Sequence, residues 1–242
     1  MRKPGINPPI PGLALLVTVF LLGCGGDGQA PPDAQLQISM TPVDAGDGQS
    51  WSTGHTLPQP LRVQVTRGGV PEPAITVFWQ PVDKGVVSPP LALTDSNGVA
   101  VTRFTLGTEA RSYQIEAMLD SAAGSPVRFT ATAFPNFKDQ LKIVSGDSQS
   151  APVNNPVPLL LSAFVGDQFS NPFPGAEVAW RVIQGDAVVG DTLSVSDVTG
   201  LVFAEVTFGS TPGPVDIVAT WANAQTGPQI TYHLMALPPG TP

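Results

Sequence analysis

The 242 residues carry 42% hydrophobic and only 12% charged side chains, with 27 Pro, 25 Gly and a single Cys. So apolar a chain lies outside the disordered class, whose signature is low hydrophobicity with high net charge, and its wealth of Pro and Gly, the poorest helix formers, excludes long helices. The formal net charge is −8, and no cluster of Lys or Arg follows the first three residues, which disfavours a nucleic-acid partner because phosphate affinity rests on basic patches.

The chain opens with Arg2 and Lys3, followed by an apolar run from Leu13 to Leu22 broken only by Thr18. A membrane-spanning helix needs about 20 apolar residues, so this shorter run predicts a secretory signal over residues 1–23. Its end, Leu21-Leu22-Gly23-Cys24, resembles the lipobox of bacterial lipoproteins. The resemblance implies that the Cys24 thiol is lipidated, that the peptide is cut before it, and that the new amino terminus is acylated. The membrane partner would then be reached through this lipid. Being the only cysteine, Cys24 leaves no intramolecular disulfide. The second position of the processed chain is Gly25. In the lipoproteins it resembles, Asp there goes with inner-membrane retention in enteric bacteria, so the outer membrane is the expected address. Residues 24–34, polar and rich in Gly, read as a flexible tether.

From Gln35 onward, short β-branched and aromatic runs alternate with Pro, Gly, Asn and Asp clusters, the pattern of an all-β sandwich or barrel. Strands are expected near Leu36 to Met40, Leu61 to Thr66, Ile75 to Gln80, Leu91 to Thr94, Val99 to Leu106, Tyr113 to Leu119 and Val127 to Ala133. Leu61, Val63 and Val65 alternate onto one face, as do Tyr113, Ile115, Ala117 and Leu119. The second half gives runs at Leu159 to Phe164, Val178 to Val182, Leu193 to Ser196, Leu201 to Phe208, Val215 to Trp221 and Ile230 to Leu234.

The two halves repeat one pattern. Trp79 and Trp180 lie 101 positions apart, as do Pro71 and Pro172; Gly98 and Gly200, Gly107 and Gly209, and Ile115 and Ile217 lie 102 apart. The offset shifts only between runs, where loops absorb insertions. The reading is two tandem units of immunoglobulin-like β-sandwich type, residues 35–134 and 140–237, with a linker at 135–139 and a tail at 238–242. Trp79 and Trp180 are expected in the cores.

Asn171-Pro172-Phe173-Pro174-Gly175-Ala176-Glu177-Val178-Ala179-Trp180, then Ser196-Asp197-Val198-Thr199-Gly200-Leu201-Val202, is similar to the bacterial immunoglobulin-like group 1 domain of the invasin and intimin type. Val70-Pro71-Glu72-Pro73-Ala74 and Thr94-Asp95-Ser96-Asn97-Gly98-Val99-Ala100 form a degraded first copy. The resemblance rests on turn and core residues, so it implies fold before function. That family's membrane barrel and lectin-like tip have no counterpart in these residues, and the lipid would replace the barrel as anchor.

Catalytic chemistry is sparse. Gly146-Asp147-Ser148 is similar to the nucleophile block of one hydrolase family, but a nucleophile needs a positioned base and oxyanion donors, and the two histidines, His55 and His233, fall in different units. Zinc lacks thiols and paired His spacing. Asp44-Ala45-Gly46-Asp47 and Asp186 through Asp191 put carboxylates in loops, as calcium favours. Their spacing is not that of a calcium loop, and loop Asp residues are ordinarily turn formers. The expectation is therefore a noncatalytic protein without a cofactor: a lipid-anchored envelope protein presenting its two units as a surface spacer or adhesin-like module, with a periplasmic scaffold as the alternative. The protein or glycan partner is not identified by any residue. The linker, with Phe134, Pro135 and Phe137, is unlike the Gly-rich tether and predicts an end-to-end junction with Phe134 or Phe137 packed in it.

Overall fold

The computed structural model describes residues 34–136, 139–222 and 227–240, and every regular element among them is a β-strand. In the first half these are β1 (Leu36–Met40), β2 (Gln49–Ser52), β3 (Leu61–Arg67), β4 (Val70–Pro71), β5 (Thr76–Pro81), β6 (Val86–Ser88), β7 (Leu91–Leu93), β8 (Val99–Thr105), β9 (Ser112–Met118) and β10 (Val127–Phe134). The second half contributes β11 (Asp139–Ser145), β12 (Ser150–Pro152), β13 (Leu161–Asp167), β14 (Glu177–Gln184), β15 (Ala187–Val189), β16 (Leu193–Val195), β17 (Leu201–Ala204), β18 (Val206–Phe208), β19 (Gly213–Trp221) and β20 (Gln229–Leu237).

One sheet of the first half runs β1-β3-β8-β6 with β4 beside β3, and the facing sheet runs β2-β10-β9-β5-β7. The second half repeats this as β11-β13-β17, β12-β20-β19-β14-β16 and a separate pair β15-β18. Each half encloses its own core. Leu61, Val63, Val65, Trp79, Tyr113, Ile115 and Phe129 are buried in the first, and Leu161, Val165, Trp180, Val215, Ile217 and Tyr232 in the second. The strand alternation predicts these faces, because successive side chains of a strand point to opposite sides of its sheet. Both tryptophans occupy the cores, each tilted against an aromatic of the last strand of its half: Trp79 on Phe129 and Trp180 on Tyr232, with ring centroids 5.7 Å apart in both.

The tight connections repeat as well. Asp95 Oδ1 accepts the N–H groups of Asn97 and Val99, and Asp197 Oδ1 those of Thr199 and Leu201. The glycine that follows has φ 69° in the first turn and 78° in the second, and a Cβ on Gly98 or Gly200 would stand 2.4 or 2.5 Å from the carbonyl oxygen of Val65 or Val165. Only glycine combines that φ with so close a backbone.

Three features differ from the sequence expectation. The strands β2, β4, β6, β11, β12 and β15 were not among the expected runs. The run from Leu201 to Phe208 is interrupted at Glu205, which separates β17 from β18. The run expected from Leu159 starts at Leu161, because the Leu159 N–H donates to Gln149 Oε1 and not to a strand neighbour.

Candidate functional site at the junction of the sandwiches

The register brings the ends of several strands to one pole of the first sandwich. Phe134 pairs with Ser52 and Thr132 with Ser112, so the residues after β2, those between β8 and β9, and the exit of β10 lie together. Thr53 ties two of these, its N–H donating to the Phe134 carbonyl at 3.0 Å. In the second sandwich β11 and β13 are antiparallel, with Asp139 opposite Asp167, so the end of β13 lies where the chain enters.

Asp167 sits at the centre of this junction and is fully inaccessible to solvent. Its Oδ2 accepts the Thr53 hydroxyl at 3.0 Å, the Asn136 N–H at 3.1 Å and Asn171 Nδ2 at 2.8 Å. Its Oδ1 accepts the N–H groups of Phe169 and Asn171, both at 2.9 Å. Asn171 extends the bridge: Nδ2 also donates to the Thr108 carbonyl at 2.7 Å, and Oδ1 accepts the Ala110 N–H at 2.9 Å. One carboxylate and one amide thus join two segments of the first sandwich, at Thr53 and at Thr108 to Ala110, and the linker at Asn136 to the β13 turn of the second. Burial pushes the Asp167 carboxyl up, but the donors at Asn171, Asn136 and Thr53 outweigh it and hold the group below its ordinary value. A buried charge is tolerated only when its lone pairs are filled in this way.

The same strand end in the first sandwich carries Arg67. It bonds Glu72 Oε1 at 3.2 Å and the Ala34 carbonyl at 2.9 Å, at the pole away from the junction. Beside the clamp, Phe134, Pro135, Phe173 and Pro174 line an apolar recess of about 180 Å³. Phe134 is 38% exposed. Phe137 lies outside the described residues.

The other candidates fall elsewhere. Cys24 and its preceding Leu21, Leu22 and Gly23 lie outside the described residues. His55 bonds the Thr53 carbonyl through Nδ1. Asp47 Oδ1 accepts the Thr130 N–H, and Asp186 Oδ2 accepts the Thr211 N–H. Among the described residues no group of three or more His, Cys, Asp and Glu is placed to hold a metal ion. The structure brings Ser148 and His233 closer than their separation in sequence suggests: the Ser148 N–H donates to the His233 carbonyl, and His233 Nδ1 bonds Asp216 Oδ1 at 2.8 Å. The Ser148 hydroxyl, however, donates to Asp147, and the His233 side chain is 66% exposed on an open sheet face. A nucleophile must instead lie within hydrogen-bond reach of its base, with donors aimed at the developing oxyanion.

Gly146-Asp147-Ser148 has a structural partner that went unnoticed in the sequence. Gly46-Asp47-Gly48-Gln49 and Gly146-Asp147-Ser148-Gln149 lie 100 positions apart and do the same work. Gln49 donates to the carbonyls of Gly46 and Gln59 and accepts the Gln59 N–H; Gln149 does so with Gly146 and Leu159. Each motif braces the point where the chain leaves one sheet and joins the other. The repeat offset was the available signal. The Asp167 clamp had none, since it is not repeated and its partners are scattered along the chain.

No family model matches the chain, and no curated protein matches it in sequence. Solved structures resemble it to different degrees. FdeC, an Escherichia coli adhesin, superposes with a TM-score of 0.55 at 14% identity, over 87% of this chain and 66% of that one. InvD of Yersinia pseudotuberculosis gives 0.47 at 14% identity over 84% and 57%, and the D0-D1 domain of intimin 0.35 at 15% identity over 81% and 97%. At such identities the likeness concerns fold, and the fold is an all-β array of immunoglobulin-like sandwiches.

Proposed function

We propose that the chain is a noncatalytic protein of the cell envelope, anchored by a lipid on Cys24, that carries its two sandwiches as a stiff spacer or adhesin-like binding module. The observation that carries this reading is the Asp167–Asn171 clamp. A hinge between independent domains is ordinarily solvated and sparsely bonded, whereas here a desolvated carboxylate takes donors from both sides. Work spent on fixing the angle between two domains serves reach and presentation. The fold shared with the adhesin FdeC supports the same reading, as does the apolar run that ends at Cys24.

Protease shaving of intact cells tests it. A surface spacer or adhesin is cleaved and lost from whole cells, and protection of both sandwiches until the outer membrane is opened would instead make the protein a periplasmic scaffold.

A further inference from the structure

The two sandwiches agree in their cores and differ on one outer face. Leu61↔Thr102 and Val63↔Ala100 in the first correspond to Leu161↔Ala204 and Ala163↔Val202 in the second, all pointing inward. The intervening pairs lie on the opposite side of the sheet, where Ser162 alone is itself buried, its hydroxyl bonded to Ser145 Oγ. In the first sandwich they are Arg62↔Val101 and Gln64↔Val99, and in the second Ser162↔Phe203 and Phe164↔Leu201. A polar, basic face has thus been replaced by an aromatic one, on which Phe203 is 46% and the adjacent Leu160 45% exposed. The break at Glu205 opens a cleft of about 420 Å³ there, lined by Leu160, Gly190, Asp191, Phe203, Ala204 and Glu205.

Charge reverses along with polarity. The position of Glu205 is occupied in the first sandwich by Arg103, which is exposed. Among the described residues neither Asp191, Glu205 nor Arg103 has an ion-pair partner, while the Arg62 guanidinium donates to the Asp44 carbonyl. Each sandwich therefore displays on the same sheet what the other lacks: an apolar floor with two unpaired carboxylates, and a Val101 knob with two arginines.

We propose that the outer face of the first sandwich, around Arg62, Val101 and Arg103, docks on the cleft face of the second sandwich of another copy of this chain. Val101 and the methylene stems of the arginines cover Phe203 and Leu160, and the guanidinium groups reach Asp191 and Glu205, a pairing for which arginine's planar donors are suited. Within one molecule the sandwiches are bonded through Asp167 and Asn171 to Thr53, Thr108 and Ala110, and neither of these faces takes part in that junction. An antiparallel pair of molecules makes this contact twice. The net negative charge of the chain opposes other approaches and favours this register.

Sedimentation of the full chain in mild detergent, over a range of concentrations, tests the pairing. The expected result is reversible association that weakens as salt is raised. Arg103→Glu and Glu205→Arg, both at exposed positions, should each weaken it roughly tenfold with unchanged melting, and an equimolar mixture of the two variants should associate again. Dissociation constants untouched by either reversal, failure of the mixture to recover, or a chain that stays monomeric to about millimolar while its cleft takes a lysine-rich peptide would each overturn the proposal.

Discussion

Trp79 and Trp180 occupy equivalent places with unequal polar support. The Trp180 indole N–H donates to Ser194 Oγ at 2.9 Å, whereas the buried Trp79 Nε1 has no partner. The residue equivalent to Ser194 is Ala92, one methyl group where a hydroxyl is needed. A buried donor left unpaired costs about 1–3 kcal/mol, so Ala92→Ser should raise the stability of the first sandwich by about 1 kcal/mol and shift its denaturation midpoint upward. Trp180→Ala removes a large buried side chain and should cost the second sandwich about 3–5 kcal/mol, read as early loss of its melting transition; an unchanged curve would place Trp180 outside the core. Asp167 supplies a pH dependence. Its folded-state pKa is depressed, so its contribution is fully present above the ordinary aspartate range and is lost as pH falls through the lower folded value. Below about pH 4 the junction should loosen, with melting of the pair becoming less cooperative, and Thr53→Val should weaken the junction without altering either core.

Apart from β11, with seven residues, the strands that escaped the sequence reading are short, and two of them are held by unusual partners. β2 and β12 pair in parallel with β10 and β20, over so few residues that no alternation can be read. Their place is set by a side chain: Gln49 or Gln149 clasps the loop ahead of the next strand, and Asp47 or Asp147 accepts a backbone N–H from the last strand, that of Thr130 or His233. Gln149→Ala leaves the Leu159 N–H and two carbonyls without their partner. It should release β12 from β20, seen as faster amide exchange at Ser150 and Ala151 while β13 and β19 keep their protection. Equal exchange in variant and parent would mean that the brace is dispensable.

At the scale of the molecule, a bonded junction predicts an extended and narrow distribution of shapes. Small-angle scattering should give the profile of a two-sandwich rod at neutral pH, broadening in Asp167→Ala; a folded-over pair, or a broad ensemble in the parent chain, would remove the basis for a spacer. The proposed lipid anchor belongs to the same scale. Cys24→Ser should abolish incorporation of labelled fatty acid and shift the protein out of its membrane fraction, and continued labelling would sink the lipoprotein reading.

The all-β class, the tryptophan cores and the Asp–Gly turns were legible in the residues, because each depends on short-range chemistry: a period of two along a strand, the positive φ that Gly98 and Gly200 accept, the volume of an indole. The clamp was not legible. Asp167 looks like one more loop carboxylate until folding brings Thr53, Thr108, Ala110 and Asn136 to it from far along the chain. The outer faces were equally silent, since whether Phe203 faces a core or water depends on which side of β17 the register turns inward, and that is settled only when Leu161 pairs with Ala204 across the finished sheet.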